Sequence, residues 1–74
     1  MTKLPQITPK NLLKFFLKKG FKISRQEGSH MRLVHHDGRK ITIAIHNKPL
    51  PLGTFQAILK QANFSRDEFL KTYK

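Results

Sequence analysis

The chain begins with an amphipathic pattern at the period of a helix. One face is formed by four apolar side chains: Leu12, Leu13, Phe16 and Leu17. Thr8 and Pro9 suit a helix start, because threonine caps free backbone amides and proline at the first helical position loses no hydrogen bond. Gly20 is typical of the left-handed residue that ends a helix. These residues predict a helix over 9–19 with one buried face.

Residues 21–45 alternate at the period of β-strands. The first predicted strand starts at residue 21, is broken at Gly28, and carries on one face Phe21, Ile23 and Arg25. The second strand, 29–35, has Met31 and Leu33 on one face, and on the other His30, Arg32 and Val34. The third strand, 40–45, has three isoleucines on one face, and on the other Thr42, Ala44 and His46. This alternation predicts an antiparallel sheet with one apolar face.

Turn and cap residues complete the predicted order. Asp37-Gly38 favours a two-residue hairpin loop of type I′, which needs positive φ at both positions. The prolines within 47–51 remove backbone donors, so this stretch connects the sheet to a second helix that starts through Gly53-Thr54. That helix carries four apolar residues and ends at an asparagine: Phe55, Ile58, Leu59, Ala62 and Asn63. Ser65 and Glu68 form a capping box, with Phe64 and Phe69 as a hydrophobic staple, which predicts a short third helix.

The predicted architecture is therefore an α+β fold in the order α-β-β-β-α, with a short extra C-terminal helix. Its three-stranded antiparallel sheet has helices on one face only. With 74 residues, the chain has the length of one small domain, which we place at residues 1–74.

Composition narrows the classes of function. Fifteen Lys and Arg against four Asp and Glu give a formal net charge of +11, which exceeds what solubility requires and points to a polyanionic partner. The chain has no cysteine, which is compatible with a reducing cytoplasm and excludes disulfides and thiolate metal sites. No signal peptide or membrane span is expected. Three lysines, Lys10, Lys14 and Lys18, are predicted to be a solvated helix face unless they lie on the same side as His30.

The candidate chemistry centres on Gly28-Ser29-His30. Glycine allows a sharp turn or a close approach to a ligand, and histidine titrates near neutral pH. Ser29 could equally serve only to cap the turn. His35 and His36, beside the second hairpin, are predicted to be ordinary surface residues. No metal site is expected, because the histidine spacings match no ligand pattern.

Across nearly its whole length the chain resembles the HicA family of toxin ribonucleases from bacterial toxin-antitoxin pairs. The resemblance is carried by an ordered set of segments: 19–21, 26–30, 37–39, 43–46, 50–55, 58–59 and Ala62. It implies a fold like that of double-stranded-RNA-binding domains, an endoribonuclease that cleaves mRNA and inhibits translation, and His30 as the catalytic residue. It also implies a HicB-type antitoxin as protein partner, with no membrane and no contact with DNA by the toxin alone. The family usually has proline where this chain has Ala44.

The residues themselves support such a reaction. RNA supplies its own nucleophile in the 2′-hydroxyl, so a positioned imidazole in basic surroundings needs no metal or other cofactor. We predict that His30 is the general base or acid and that Arg32 holds the phosphate. Further RNA contacts are expected from Gly28, Ser29, Arg25, Lys40 and His46. Alternatively, Arg32, Arg39 and Lys40 are solvated charges that protect the sheet from edge pairing.

Two other classes of function remain open at this point. A non-catalytic RNA-binding module of the same fold fits the charge and size equally well. A small protein-interaction domain whose positive surface meets an acidic partner is the third reading. Only His30 within its turn favours the enzyme over the two binding modules.

Overall fold

The computed structural model describes residues 5–73, so residues 1–4 and 74 of the predicted domain lie outside the described part. In chain order the elements are α1 (Pro9–Lys18), β1 (Phe21–Glu27), β2 (His30–His35), β3 (Lys40–Ala44), α2 (Leu52–Gln61) and α3 (Arg66–Thr72). The strands form one antiparallel sheet in the order β1-β2-β3. The predicted α+β architecture with its short third helix is confirmed.

The helix boundaries follow from the cap residues. The Thr8 hydroxyl accepts a hydrogen bond from the Asn11 backbone N–H at 3.3 Å, and Gly20 ends α1 with φ of +95°. Asn63, at φ +58°, ends α2 in the same left-handed region. Ser65 and Glu68 form the reciprocal capping box of α3, each side chain accepting from the other residue's backbone N–H at 3.1 Å. Local sequence therefore decides where the helices stop and restart.

A single core lies between the helices and one face of the sheet. β2 and β3 contribute their apolar alternate residues: Met31, Leu33, Ile41 and Ile43. The helices contribute Phe16, Phe55 and Phe69, all almost fully buried. The opposite face of the sheet is left uncovered by helices, as the alternation predicts.

The buried face of α1 differs from the predicted one by one row. Leu17 is 40% exposed, whereas Phe15 is buried. Phe15 is buried because α3 and the residue before it pack against this side of α1. The Phe15 ring centroid lies 5.6 Å from that of Phe64 and 4.7 Å from that of Phe69. Helical period alone does not show which flank a later helix covers.

The predicted faces of β1 are also wrong beyond Ile23. The pairing with β2 shifts by one residue between Ile23 and Arg25, so Arg25 stands opposite Arg32. Such a bulge moves the following side chains to the other face of the sheet. Ile23 is half exposed because β1 is an edge strand. Arg25 therefore leaves the Phe21 face.

The two hairpins differ in the geometry of their turns. Glu27 pairs with His30, which leaves Gly28-Ser29 as a two-residue loop in which only the first residue has positive φ, the combination found in type II′ turns. At Asp37-Gly38 the type I′ prediction is wrong, because only Gly38 has positive φ. There the Gly38 N–H donates to the His35 carbonyl and the His35 N–H to the Arg39 carbonyl, each at 2.9 Å.

Candidate functional site

The uncovered face of the sheet, called here the open face, is built from three cross-strand rows. Directly paired residues of antiparallel strands project to the same side, with Cβ atoms about 5 Å apart. The rows are Glu27-His30-Ala44, Arg25-Arg32-Thr42 and Lys22-Val34-Lys40. Residues two apart on one strand lie about 7 Å from each other, so the rows of His30 and Arg32 are neighbours. This face therefore joins an imidazole to a cluster of cations.

His30 is the first residue of β2 and directly follows the type II′ turn. Its side chain is exposed, as are Gly28 and Ser29. The main chain around it is firmly held, because the Ser29 carbonyl accepts a hydrogen bond from the Ile45 N–H at 2.7 Å. The Ser29 hydroxyl makes no hydrogen bond to any residue within 5–73, so the alternative role as a turn cap receives no support.

Two grooves cross this region. The histidine groove, an open depression of about 490 Å³, runs between β3 and α2 and is lined by His30, Thr42, Ala44, His46, Leu50, Pro51, Thr54, Ala57, Ile58 and Gln61. The arginine groove, about 310 Å³, is lined by Ser24, Arg25, Arg32, Leu33, Val34, Lys40, Ile41, Thr42 and Gln61. Thr42 and Gln61 line both, so the grooves meet there. No carboxylate lines either groove.

The structure thus collects the predicted site residues on one side of the molecule. His30 and His46 share the histidine groove, and Arg25, Arg32 and Lys40 share the arginine groove. Arg25 reaches its place only through the β1 bulge. By contrast, α1 packs on the far side of the sheet, so its lysines lie away from His30 and form the solvated face expected in that case.

One ion pair lies on the open face. The Nε atom of Arg25 is 3.3 Å from Oε1 of Glu27, and both side chains are more than half exposed. Exposed pairs of this kind contribute at most about 1 kcal/mol. A phosphate can therefore replace the Glu27 carboxylate as the partner of Arg25 at small cost.

The other end of β2 corrects the prediction that His35 is an ordinary surface residue. Its side chain is only 10% exposed and packs edge-on against Phe21, with centroids 5.0 Å apart. The Nδ1 atom of His35 accepts a hydrogen bond from the Asp37 backbone N–H at 3.3 Å. His36 is exposed as predicted. His35 is thus part of the folded framework.

Arg39, offered above as a solvated edge charge, is also structural. Its Nε donates to both carboxylate oxygens of Asp37, at 3.1 and 2.9 Å, and its guanidinium lies over Phe21 and Phe64 at 5.2 and 5.6 Å from the ring centroids. A third contact goes to the Ala62 carbonyl at the end of α2. The Arg39 backbone and side-chain hydrogen bonds hold the pKa of Asp37 at about 2.

Within residues 5–73 no group of three or more His, Cys, Asp or Glu side chains is placed to hold a metal ion. No helix in the same range is long and apolar enough to cross a membrane. The two residues that line both grooves, Thr42 and Gln61, were not among the site residues predicted from the sequence. Thr42 was detectable from the alternation that puts it on the His46 face, whereas nothing local to Gln61 shows that the end of α2 reaches the open face.

Most of the chain matches the model of a known protein family. The family model described as HicA toxin of bacterial toxin-antitoxin matches residues 9–64. The matched range runs from the start of α1 through α2 and includes His30 and both grooves. A search of curated proteins found no significant match.

Proposed function

Because the chain belongs to the HicA toxin family of bacterial toxin-antitoxin systems, we propose that it is an endoribonuclease that cleaves mRNA on the open face, with His30 as catalytic residue. Membership itself makes the chain a toxin with an antitoxin partner. The cleavage, its inhibition of translation, the HicB type of the antitoxin and action in the cytoplasm belong to the proposal.

The observation that carries the proposal is the setting of His30. Its imidazole is exposed next to a two-residue hairpin turn, lines a groove without carboxylates and stands one row from Arg25 and Arg32. A general base has to be accessible to the substrate, and phosphate charge has to meet cations beside it. Of the other three histidines, His35 is enclosed, His36 lies at the far hairpin, and His46 lines the same groove but lies beyond the end of β3.

The reaction follows from these positions. His30 accepts the proton of a ribose 2′-hydroxyl, and the 2′-oxygen forms a bond to the adjacent phosphorus. The bond from phosphorus to the 5′-oxygen breaks, and that oxygen takes a proton from the water admitted by the open groove. The products are a 2′,3′-cyclic phosphate and a 5′-hydroxyl end. Arg32 and Arg25 stabilise the charge that develops on the phosphate, and Gly28, Ser29, Lys40 and His46 contribute RNA contacts.

The test is His30→Ala, with His36→Ala as the matched control. Both histidines are exposed on or beside β2, about 20 Å apart along the strand. We expect H30A to lose cleavage of a single-stranded mRNA fragment at least about 100-fold, because positioned proton transfer is worth roughly 10²- to 10⁴-fold. H36A should cleave like the unmodified chain. Both should unfold at the same denaturant concentration as that chain.

Two further measurements complete the experiment. Cleavage should persist in a chelator, and the products should carry cyclic phosphate ends. If H30A binds RNA and still cleaves it at full rate, His30 is not the catalytic residue. If the unmodified chain binds RNA but cleaves it in none of these assays, the protein is the non-catalytic RNA-binding module.

A further inference from the structure

The junction of the two grooves has no role in the chemistry proposed above. Thr42 and Gln61 line both the histidine groove and the arginine groove. Thr42 stands beside Arg32 in the middle row of the open face. Gln61 is the last residue of α2, and its side chain is exposed. Neither residue takes part in a side-chain hydrogen bond with any residue within 5–73.

We propose that this junction binds an unpaired nucleobase next to the cleaved phosphate, and that Gln61 with Thr42 gives the nuclease its base preference. The proposal rests on the proposed function for the placing of the phosphate. It adds a specificity site formed by two residues for which neither the sequence analysis nor the family match gives a role.

The chemistry of the junction suits a base. A glutamine amide carries a carbonyl acceptor and an NH₂ donor side by side, and a threonine hydroxyl can donate or accept. Paired donors and acceptors of this kind match the edge of a nucleobase, and unpaired RNA bases are recognised through such edges. Because both side chains lack a partner within the described chain, a bound base replaces only water.

The shape and the charge of the surroundings agree. Beside the junction, the floor of the histidine groove is formed by small or apolar residues, among them Ala44, Ala57 and Ile58. These apolar side chains can pack against the face of a base, while Arg25, Arg32 and Lys40 on the other side of the junction can bind the backbone phosphates. No carboxylate lines either groove, and Glu27 on the open face is paired with Arg25, so these surroundings favour RNA over a basic protein segment.

The geometry also orders the contacts along the strand of RNA. The row of His30 and the row of Thr42 are neighbours on the open face, about 7 Å apart. A phosphate held between His30 and Arg32 therefore leaves an adjoining base within reach of Thr42 and Gln61. Base preference at one position beside the cut follows from this placement.

The experiment compares Gln61→Leu with Gln56→Leu. Gln56 is an exposed glutamine on the same helix that lines neither groove. Cleavage sites are mapped in a pool of random single-stranded RNA. We expect Q61L to flatten the preference at one position next to the cut by roughly 5-fold or more, the low end of what one good base contact gives. The rate summed over all sites should fall less than this, and Q56L should keep the original pattern.

A binding measurement separates this proposal from the proposed function. In the His30→Ala background, RNA oligonucleotides that differ at a single base are titrated with and without Gln61→Leu. Base discrimination in binding that disappears with Q61L supports the junction, whether or not the unmodified chain cleaves RNA. An unchanged preference in both assays overturns the proposal. So does a Q61L variant that keeps its RNA pattern but loses affinity for the antitoxin, because the junction then serves the protein partner.

Discussion

The two ends of β2 carry the same residue types in opposite surroundings. At its start, His30 is exposed, stands next to a two-residue turn and has Arg32 as its neighbour on the open face. At its other end, called here the framework end, His35 is enclosed by Phe21 and Asp37. Arg39, which lies in the hairpin that follows, is bound by a carboxylate, a carbonyl and two aromatic rings. The side chains of His30 and Arg32 are therefore accessible to a ligand, whereas those of His35 and Arg39 contact other parts of the fold.

A small basic domain can fold and still bind a polyanion if its few acidic residues are placed away from the binding surface. Asp37, one of the four acidic residues of the chain, forms an ion pair with Arg39 at the framework end. The cations of the open face are left for a polyanion, apart from the weak pair of Arg25 with Glu27. The chain therefore holds positive charge where RNA is proposed to bind, while at the far hairpin His35 and Arg39 are bound by other residues of the fold.

Removal of the arginine at either end of β2 should affect stability at one end and RNA affinity at the other. Arg39→Ala removes the ion pair, the contact to the Ala62 carbonyl and both ring contacts, so we expect the free energy of unfolding to fall by about 2–3 kcal/mol. Arg32→Ala should change it by less than about 0.5 kcal/mol, as exposed positions usually do. Urea unfolding followed by circular dichroism measures both.

The same two variants should differ in the opposite sense in their affinity for RNA. R32A should bind a single-stranded oligonucleotide more weakly, with the slope of log affinity against log salt reduced by about 0.7, the value for one phosphate contact. R39A, measured where it is folded, should keep the slope. Equal stability losses in the two variants, or a slope that falls only in R39A, would break the distinction between the two ends.

Glycines at the two ends give a smaller effect of the same kind. Gly20 has φ of +95°, and a Cβ there would lie 3.0 Å from Nε2 of His35, whereas Gly28 has φ of +57° and open space around it. Both glycines have a positive φ that side-chain-bearing residues rarely adopt, so alanine at either position costs about 1 kcal/mol or more. We expect G20A to lose roughly 0.5 kcal/mol more than G28A, because the enclosed His35 has to move. Melting curves of the two variants compare them directly.

If G20A is no less stable than G28A, the His35 ring can move away from a new Cβ without loss of stability. The contacts at the framework end would then constrain His35 less than proposed. G28A also has a functional reading. If the turn positions His30, G28A should lower cleavage more than its loss of stability accounts for, while G20A should not. Cleavage rates at a temperature where both variants are folded give this comparison.

Much of the fold follows from local sequence, but the division between the two ends does not. Caps at Thr8, Asn63 and Ser65 mark the helices, and the alternation of β2 and β3 shows which side of the sheet is covered. The bulge at Ser24 has no local signal, because it depends on the pairing of two strands, and it decides the face of Arg25. His35, Arg39 and Gln61 owe their surroundings to elements distant in the chain.

The setting of His30 could be predicted from local sequence, whereas much of the proposed site around it could not. The motif Gly28-Ser29-His30 is contiguous, so the turn that exposes the imidazole could be expected from sequence, although its type II′ geometry was not. The junction at Thr42 and Gln61 joins β3 to the end of α2. Only the packing of the helix beside the sheet edge brings those two side chains together.

The smallest expected effect concerns Asp37, the carboxylate of the framework end. The Arg39 hydrogen bonds lower its pKa from 3.8 to about 2 in the folded chain. A lowered pKa in the folded state means that the unfolded chain binds the proton first as the pH falls. The stabilisation by this carboxylate is therefore complete above pH 3.8 and is lost as the pH falls through about 2. Asp37→Asn should be less stable than the unmodified chain near neutral pH, and the difference in urea midpoint should shrink across that window. A difference that stays constant from pH 6 to pH 2 would show that the charge of Asp37 contributes nothing and that Arg39 is held by its rings and by Ala62 alone.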